Sequence, residues 1–361
     1  MKRVLIIDSN VSYLLMNMNR PTGGAAVQTS NWIRGFESLG YEIIILSENM
    51  VKPSKYYYQI VVDTTSKKKN LSGFISALAF YYRTFKRISP DFIYCSIPWW
   101  NRLLYILPAK LIGIKFIQRI SNDNLVQRNS VQIFNNYFKS MLLRVSLNLT
   151  KNIICQNEYQ YTTLRNRFPR KIIQKLYNPF IVHNRHFISS KEYVAWVGLF
   201  QRQKNMSELL NIALALPELT FKVAGTEISK GILDSSTQEA LTKLKNTRNV
   251  EFVGNLNREE IFPFLARAIC LLNTSHEEGF SNTYLESYSV GTPVVTRKNT
   301  DPDNLIATLN LGRVVDTYEQ IPDAIRFVYS GNIDYGERMK DYLINNHDPV
   351  KLSRQMLSKA V

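Results

Sequence analysis

The chain has 361 residues, 45% hydrophobic and 20% charged, with a formal net charge of +16. That mixture excludes an intrinsically disordered chain, whose sparse apolar surface could not offset the entropy of ordering, and the length suits two domains of ordinary size. The three cysteines, Cys95, Cys155 and Cys270, are odd in number, widely spaced and each inside an apolar run, so they read as reduced core thiols and not as a disulfide frame or a metal site.

The charge is unevenly placed. Residues 1–190 carry 26 Lys and Arg against 8 Asp and Glu, a surplus of 18, whereas residues 191–361 carry 19 against 21. Two domains with different partners are expected, the basic one facing an anionic surface or ligand such as lipid headgroups, nucleic acid or a phosphorylated acceptor. No nucleic-acid reading motif accompanies the charge, so nucleic acid is not the expected partner.

In chain order, MKRVLIIDSN reads as a first strand at Val4–Ile7, buried on both faces, and not as a signal peptide. A long loop follows with Pro21-Thr22-Gly23-Gly24, then a helix over about Ala25–Leu39 ended by Gly40, then a strand over Tyr41–Leu46. The glycine pair lets backbone approach a ligand at the top of the first strand. G-x-G-x-x-G is absent, so this is not the dinucleotide fingerprint. Residues 52–70 are basic and aromatic, and Leu71–Ile88 reads as a helix with Phe74, Leu78, Tyr81, Tyr82 and Phe85 near one side and Arg83, Lys86 and Arg87 at its end. Two readings weigh equally: a basic amphipathic segment on an anionic membrane, or a core-packed helix whose basic end suits its dipole. Leu103–Ile117 is apolar but interrupted by Pro108, Lys110 and Lys115, too short and too charged to cross a bilayer.

Phe92–Cys95, Lys115–Arg119 and Ile153–Cys155 read as further strands. The last two run directly into polar residues, Ser121-Asn122-Asp123 and Gln156-Asn157-Glu158. A linker is expected at 183–190, with His183 and His186 as surface residues. Tyr193–Val197 opens the second half and leads into Gly198-Leu199-Phe200-Gln201-Arg202-Gln203-Lys204-Asn205. A glycine, a basic loop and a following helix make a phosphate site. Phe221–Ala224 and Val250–Val253, each followed by glycine, continue the rhythm. Asp301-Pro302-Asp303 reads as a turn and not as a metal-binding pair. Residues 348–361 form a last helix.

The most informative stretch is Cys270 to Val295, CLLNTSHEEGFSNTYLESYSVGTPVV. A buried strand breaks into a polar turn, a helix starts near Ser281–Thr283 and stops at Gly291, and Val294-Val295 opens another strand. Ligands of open α/β sheets bind at such strand ends. Glu278 precedes the helix and Glu286 lies inside it, with Gly279, Phe280, Ser281, Asn282 and Thr283 between. Two carboxylates flanking a run of amides match an extended ligand with a charged middle: sugar, diphosphate, ribose. Thr283 and Glu286 also have the spacing of a capping box, which would make Glu286 a helix-start device.

The pattern E-G-F-S-N-x-x-x-E followed by G-T-P-V-V resembles the donor-site signature of the retaining GT-B glycosyltransferases, family 4 or group 1 in the usual classification. The resemblance covers most of the chain and is specific in the second half. It implies an α/β fold of two Rossmann-like doubly wound domains facing across a cleft: an acceptor-side domain at 1–182, a nucleotide-sugar domain at 190–345, and a C-terminal helix at 346–361 crossing back to the first. It implies that Glu278 lies against the donor sugar, that Glu286 binds the ribose hydroxyls, that the amides of Gly279 to Thr283 hold the diphosphate, and that Gly23 and Gly24 face the donor phosphates and acceptor. The family has Gly-Arg after the first strand of the second domain and a lysine five residues beyond that arginine. Lys204 matches the lysine, Leu199 stands in place of the arginine, and Arg202 is the candidate to supply the missing charge. Many members also place a histidine in the first domain near the sugar. Residues 1–182 contain none, and Asp123 is the candidate substitute.

The expected function is therefore metal-independent transfer of a sugar from a UDP- or GDP-linked donor to a glycan or lipid-linked glycan acceptor with retained configuration, and no cofactor beyond the donor. The expected location is cytoplasmic, with the basic domain peripheral on the inner face of the membrane. A nucleotide-sugar epimerase of the same fold is the alternative, and a basic nucleic-acid-binding protein a more distant one.

Overall fold

The computed structural model describes residues 2–8, 10–15, 23–47, 59–62, 71–126, 137–182, 190–227, 233–331 and 333–360. Pro21, Thr22, most of the basic aromatic segment at 52–70, and His183 and His186 lie outside these. The chain divides into two units: residues 1–181 with 347–361, and residues 182–346.

The first unit runs β1 (Lys2–Ile7), α1 (Val11–Leu15), α2 (Gly23–Ser38), β2 (Tyr41–Ser47), β3 (Gln59–Val62), α3 (Leu71–Ile88), β4 (Phe92–Cys95), α4 (Leu103–Ile112), β5 (Lys115–Arg119), α5 (Tyr137–Leu149), β6 (Asn152–Cys155), α6 (Glu158–Arg167) and β7 (Ile172–Lys175). Its seven strands order as β3-β2-β1-β4-β5-β6-β7, with parallel pairing throughout. Successive side chains of a strand point to opposite faces, and β1 uses this fully. Val4 and Ile6 join the core with Trp32 and Phe36 of α2, while Leu5 and Ile7 join the core with Tyr81 and Phe85 of α3.

The glycine pair belongs to helix and not to loop: Gly23 and Gly24 are the first residues of α2. The helix starts two residues before its apolar pattern does. In α3 the expected single face splits. Tyr81 and Phe85 are buried, but Phe74 and Tyr82 are exposed along with Ile75. Expected Leu103–Ile117 is a short helix, α4, followed by β5. No helix among the described residues is long and apolar enough to cross a membrane.

The second unit runs β8 (Tyr193–Val197), α7 (Met206–Ala215), β9 (Phe221–Ala224), α8 (Ser235–Lys245), β10 (Val250–Gly254), α9 (Arg258–Ala266), β11 (Ala268–Leu272), α10 (Asn282–Tyr288), β12 (Val294–Arg297), α11 (Leu305–Thr308), β13 (Gly312–Val315), α12 (Ile321–Ser330) and α13 (Gly336–His347). Its six parallel strands order as β10-β9-β8-β11-β12-β13. The order reverses between β8 and β11, and a crevice opens outside the carboxyl ends of the strands at such a reversal. The two loops that leave this point are residues 198–205 and 273–281, which carry Lys204 and Glu278.

The final helix, α14 (Pro349–Ala360), is part of the first unit and packs on α2. Gly35 allows it: a Cβ there would run into Ser353 Oγ and the Pro349 carbonyl. Asp301 is buried and accepts the backbone amides of Ile306 (2.8 Å) and Ala307 (3.2 Å), so it secures the turn into α11.

Just beyond their carboxyl ends the backbones of β8 and β9 converge. Gly198 N donates to the Ala224 carbonyl (3.0 Å), and a Cβ on Gly225 would collide with the Gly198 carbonyl oxygen. Gly225→Ala should therefore destabilise the protein by about 1–3 kcal/mol, the usual range for overpacking. Thermal or urea unfolding reads this out, and an unchanged midpoint would contradict the close approach.

Candidate donor site

Lys204 reaches its place by a constrained route. After β8 the chain makes a 3-10 turn, Arg202–Lys204, and Asn205 adopts a left-handed conformation (φ 51°, ψ 63°) that starts α7. The Lys204 stem lies over Gly198, where a Cβ would come within 3.4 Å of its Cε. Its ammonium forms an ion pair with Glu278 Oε1, and Ser275 Oγ donates to the same oxygen (2.8 Å). The two side chains are 17% and 11% exposed. Removing one partner of so shielded a pair leaves the other charge poorly compensated.

The loops around the pair are tied together. Thr274 Oγ1 donates to the Lys204 carbonyl (2.8 Å) and accepts from Trp196 Nε1 (3.0 Å). Gln203 Nε2 donates to the Glu277 carbonyl (2.9 Å), and His276 N donates to the Gln203 carbonyl (2.9 Å). Asn273 Oδ1 accepts from Ser275 N (2.8 Å), while its Nδ2 donates to the Tyr284 hydroxyl (2.8 Å). Sequence reasoning missed Gln203, Asn273, Thr274, Ser275 and Tyr284 as parts of the site. The available signal was a run of small polar residues immediately after a buried strand.

Beyond Glu278, Phe280 and Ser281 are buried, and Asn282 and Thr283 are half-buried at the start of α10. Ser281 is the N-cap residue, with no side-chain cap bond, and its Oγ pairs with Thr283 Oγ1 at 2.8 Å. The capping box between Thr283 and Glu286 does not form, because the helix begins at Asn282 and Glu286 is its fifth residue. The helix-start role for Glu286 is thereby removed. Its carboxyl is half-buried by surface area yet densely surrounded by protein atoms. Burial lifts its pKa to about 7, with Arg258 partly opposing the rise. No hydrogen bond or ion pair to this carboxyl occurs among the described residues. A shielded acid without a partner marks a place for an external one.

The remaining candidates are scattered. Arg202 is exposed, and its guanidinium has no hydrogen bond or ion pair among the described residues. Gly279 is in the turn before α10. Asp123, in the first unit, begins a short 3-10 turn after β5, and its Oδ1 accepts from Asn157 Nδ2 (2.9 Å) and Gln160 Nε2 (2.7 Å). Those bonds join the end of β5 to the start of α6. Gly23 and Gly24 also lie in the first unit.

Residues 181–346 match the family of glycosyl transferases group 1. That match falls on the second unit and takes less than half of the chain. The whole chain has the GT-B fold of solved relatives. It is similar to sucrose-phosphate synthase from Thermosynechococcus elongatus (12% identity, TM-score 0.78, 99% of this chain and 98% of that one). It is also similar to HepE from Anabaena solved with UDP-glucose (14% identity, TM-score 0.75, 99% of each). A third likeness is to WaaG, a glycosyltransferase involved in lipopolysaccharide biosynthesis (14% identity, TM-score 0.71, 99% of each). A curated relative by sequence is a tRNA/tmRNA (uracil-C(5))-methyltransferase from Campylobacter jejuni, 31% identical over 173 residues. That match takes 43% of this chain, which spans about half (46%) of the relative's length.

The raised pKa of Glu286 has a definite sign for the stability of the second unit. The folded state holds this proton more tightly than the unfolded state does. Stability from this group is therefore greatest below about pH 4.5 and falls as pH rises towards about 7. Glu286→Gln should be more stable than wild type at pH 8, with the advantage shrinking at pH 5. Melting temperatures of both proteins at the two pH values check this; a pH-independent difference would contradict it.

Proposed function

We propose that the chain is a retaining glycosyltransferase that moves a sugar from a UDP- or GDP-linked donor to an acceptor hydroxyl without a metal ion. The observation that carries this reading is the contact of Lys204 with Glu278 at the strand-order reversal, with the unpartnered Glu286 carboxyl in the adjoining helix. Family 4 assignment rests on the E-G-F-S-N-x-x-x-E pattern that contains both glutamates.

The chemistry follows from charge. As the anomeric carbon–oxygen bond breaks, negative charge grows on the leaving diphosphate and positive charge on the sugar, as in glycoside cleavage. In this reading Lys204, with Arg202 from the same loop, stabilises the diphosphate, which takes up the ammonium now shared with Glu278. The run from Gly279 to Thr283 adds backbone amides. Glu278 orients the sugar and favours its developing positive charge. Glu286, once ionised, accepts two ribose hydroxyls. Asp123 is the acidic group proposed for the acceptor side in place of histidine, with Oδ1 anchored by two amides.

The acceptor proposed is a glycan or lipid-linked glycan, reached from an anionic membrane surface. In support, α3 exposes Phe74, Ile75 and Tyr82 beside the exposed Arg83, Lys86 and Arg87, and α5 exposes Tyr137, Phe138, Met141 and Val145 around Lys139. Both helices pack on α4. Apolar side chains with interspersed basic ones suit insertion at headgroup depth, and each basic residue near such a surface adds about 1 kcal/mol.

Thermal-shift screening against UDP-, GDP- and dTDP-sugars, followed by product analysis with and without acceptor, tests the activity. Donor-dependent stabilisation and acceptor-dependent transfer are expected. Conversion of the donor sugar without acceptor would favour the epimerase. Glu278→Gln should lower kcat strongly with a modest change in donor KM, because its charge matters most as the sugar becomes positive. Lys204→Ala should cost about a hundredfold in turnover. Wild-type rates in either variant would contradict the assigned roles.

Vesicle sedimentation tests the surface. Binding to anionic vesicles that weakens with salt and with Phe138→Ser is expected. Equal, salt-insensitive binding to neutral and anionic vesicles would contradict it.

A further inference from the structure

Lys204 and Glu278 stand on separate loops, each leaving the end of a different strand. Their contact needs something to hold those loops at one spacing. Thr274 supplies one tie through its hydroxyl. Gln203 adds two more, through its bonds with Glu277 and His276, and a further tie comes from a residue outside both loops and outside the E-G-F-S-N-x-x-x-E stretch.

Tyr318 begins the 3-10 turn Tyr318–Gln320 after β13. Its backbone is set by a capping box between Thr317 and Gln320, in which Gln320 Oε1 accepts from Thr317 N (3.2 Å) and Asp316 N (3.0 Å). Its hydroxyl lies between the two loops. It accepts from Asn205 Nδ2 (3.0 Å) and donates to the Thr274 carbonyl (2.9 Å), with the Ser275 carbonyl at 3.4 Å. Asn205 directly follows Lys204 and makes the left-handed turn into α7. Ser275 holds Glu278 through its hydroxyl. One phenol oxygen is thus a single hydrogen bond from the residue after Lys204, and a single hydrogen bond from the residue before the one that holds Glu278.

The ring itself is held from the other side. The Arg297 guanidinium, at the end of β12, lies 3.7 Å from its centroid, a close cation–π contact. Arg297 Nε is buried and has no hydrogen-bond partner among the described residues, while its charge also acts on Glu319.

We propose that Tyr318, braced by Arg297, is a positioning residue that sets the separation of Lys204 and Glu278. Its hydroxyl bonds to neither side chain among the described residues and acts through Asn205 and the 274–275 backbone. The proposal rests on the donor-site reading for its catalytic consequence, but its structural content stands apart from it. Reacting groups held about 1 Å out of place lose up to about a hundredfold in rate. Loss of one among these several ties should cost less, about tenfold.

Tyr318→Phe keeps the ring and the Arg297 stack and removes only the hydroxyl. Amide hydrogen exchange is measured on wild type and variant, together with melting temperature and steady-state kinetics. Exchange about tenfold faster at 204–209 and 274–279, with unchanged β13 and α12 and unchanged Tm, is expected. In the active enzyme kcat should fall about tenfold with donor KM nearly constant. Wild-type exchange at both loops would overturn the proposal, as would a fall in Tm with faster exchange throughout the second unit. If wild type transfers no sugar, the donor-site reading fails by itself, and exchange at the two loops still decides whether Tyr318 positions them.

Discussion

The Lys204–Glu278 ion pair is the interaction on which the second unit's site depends. Two partly shielded charges are stable together only if geometry and additional hydrogen bonds compensate their lost hydration. The fold meets both conditions. The reversal of strand order between β8 and β11 brings two loops to one place, and Ser275 supplies a further bond to the carboxylate. Gly198 makes room for the lysine stem. An ammonium held against a carboxylate is poised for exchange. On the proposed reading a diphosphate takes over the ammonium, and the carboxylate is left beside the sugar that becomes positive.

Glu286 is the complementary case. Among the described residues it has no hydrogen bond or ion pair, only the nearby charge of Arg258, and burial pushes its pKa up to about 7. Within one strand–loop–helix segment the fold thus holds one carboxylate satisfied by the protein and another left for something else.

Much of this was legible because buried parallel strands leave continuous apolar runs. Val4–Ile7, Ile153–Cys155 and Cys270–Leu272 are all found where the runs place them. The edge strands β3, β7 and β13 were not legible. Each has four residues, and β7 and β13 are only partly buried, so no long apolar run marks them. Helix α5 escaped notice because its apolar side chains do not form one inward stripe: Leu143 and Leu147 are buried while Phe138 and Met141 face out. The sequence motif reached Lys204, Glu278 and Glu286. The ties among them join residues 70 and 74 positions apart, Thr274 to Lys204 and Gln203 to Glu277, and only the fold brings these together. The misplacement of Gly23-Gly24 has a local cause. Glycine is tolerated at helix starts, so the pair looks like loop while serving as the first turn of α2.

The most direct measurement is a crystal structure of the protein with a bound UDP- or GDP-sugar. The account predicts the diphosphate within hydrogen-bond distance of Lys204 Nζ, the ribose hydroxyls on the Glu286 carboxylate and the sugar against Glu278. A nucleotide bound elsewhere, with Lys204 still paired to Glu278 and Glu286 untouched, would contradict it.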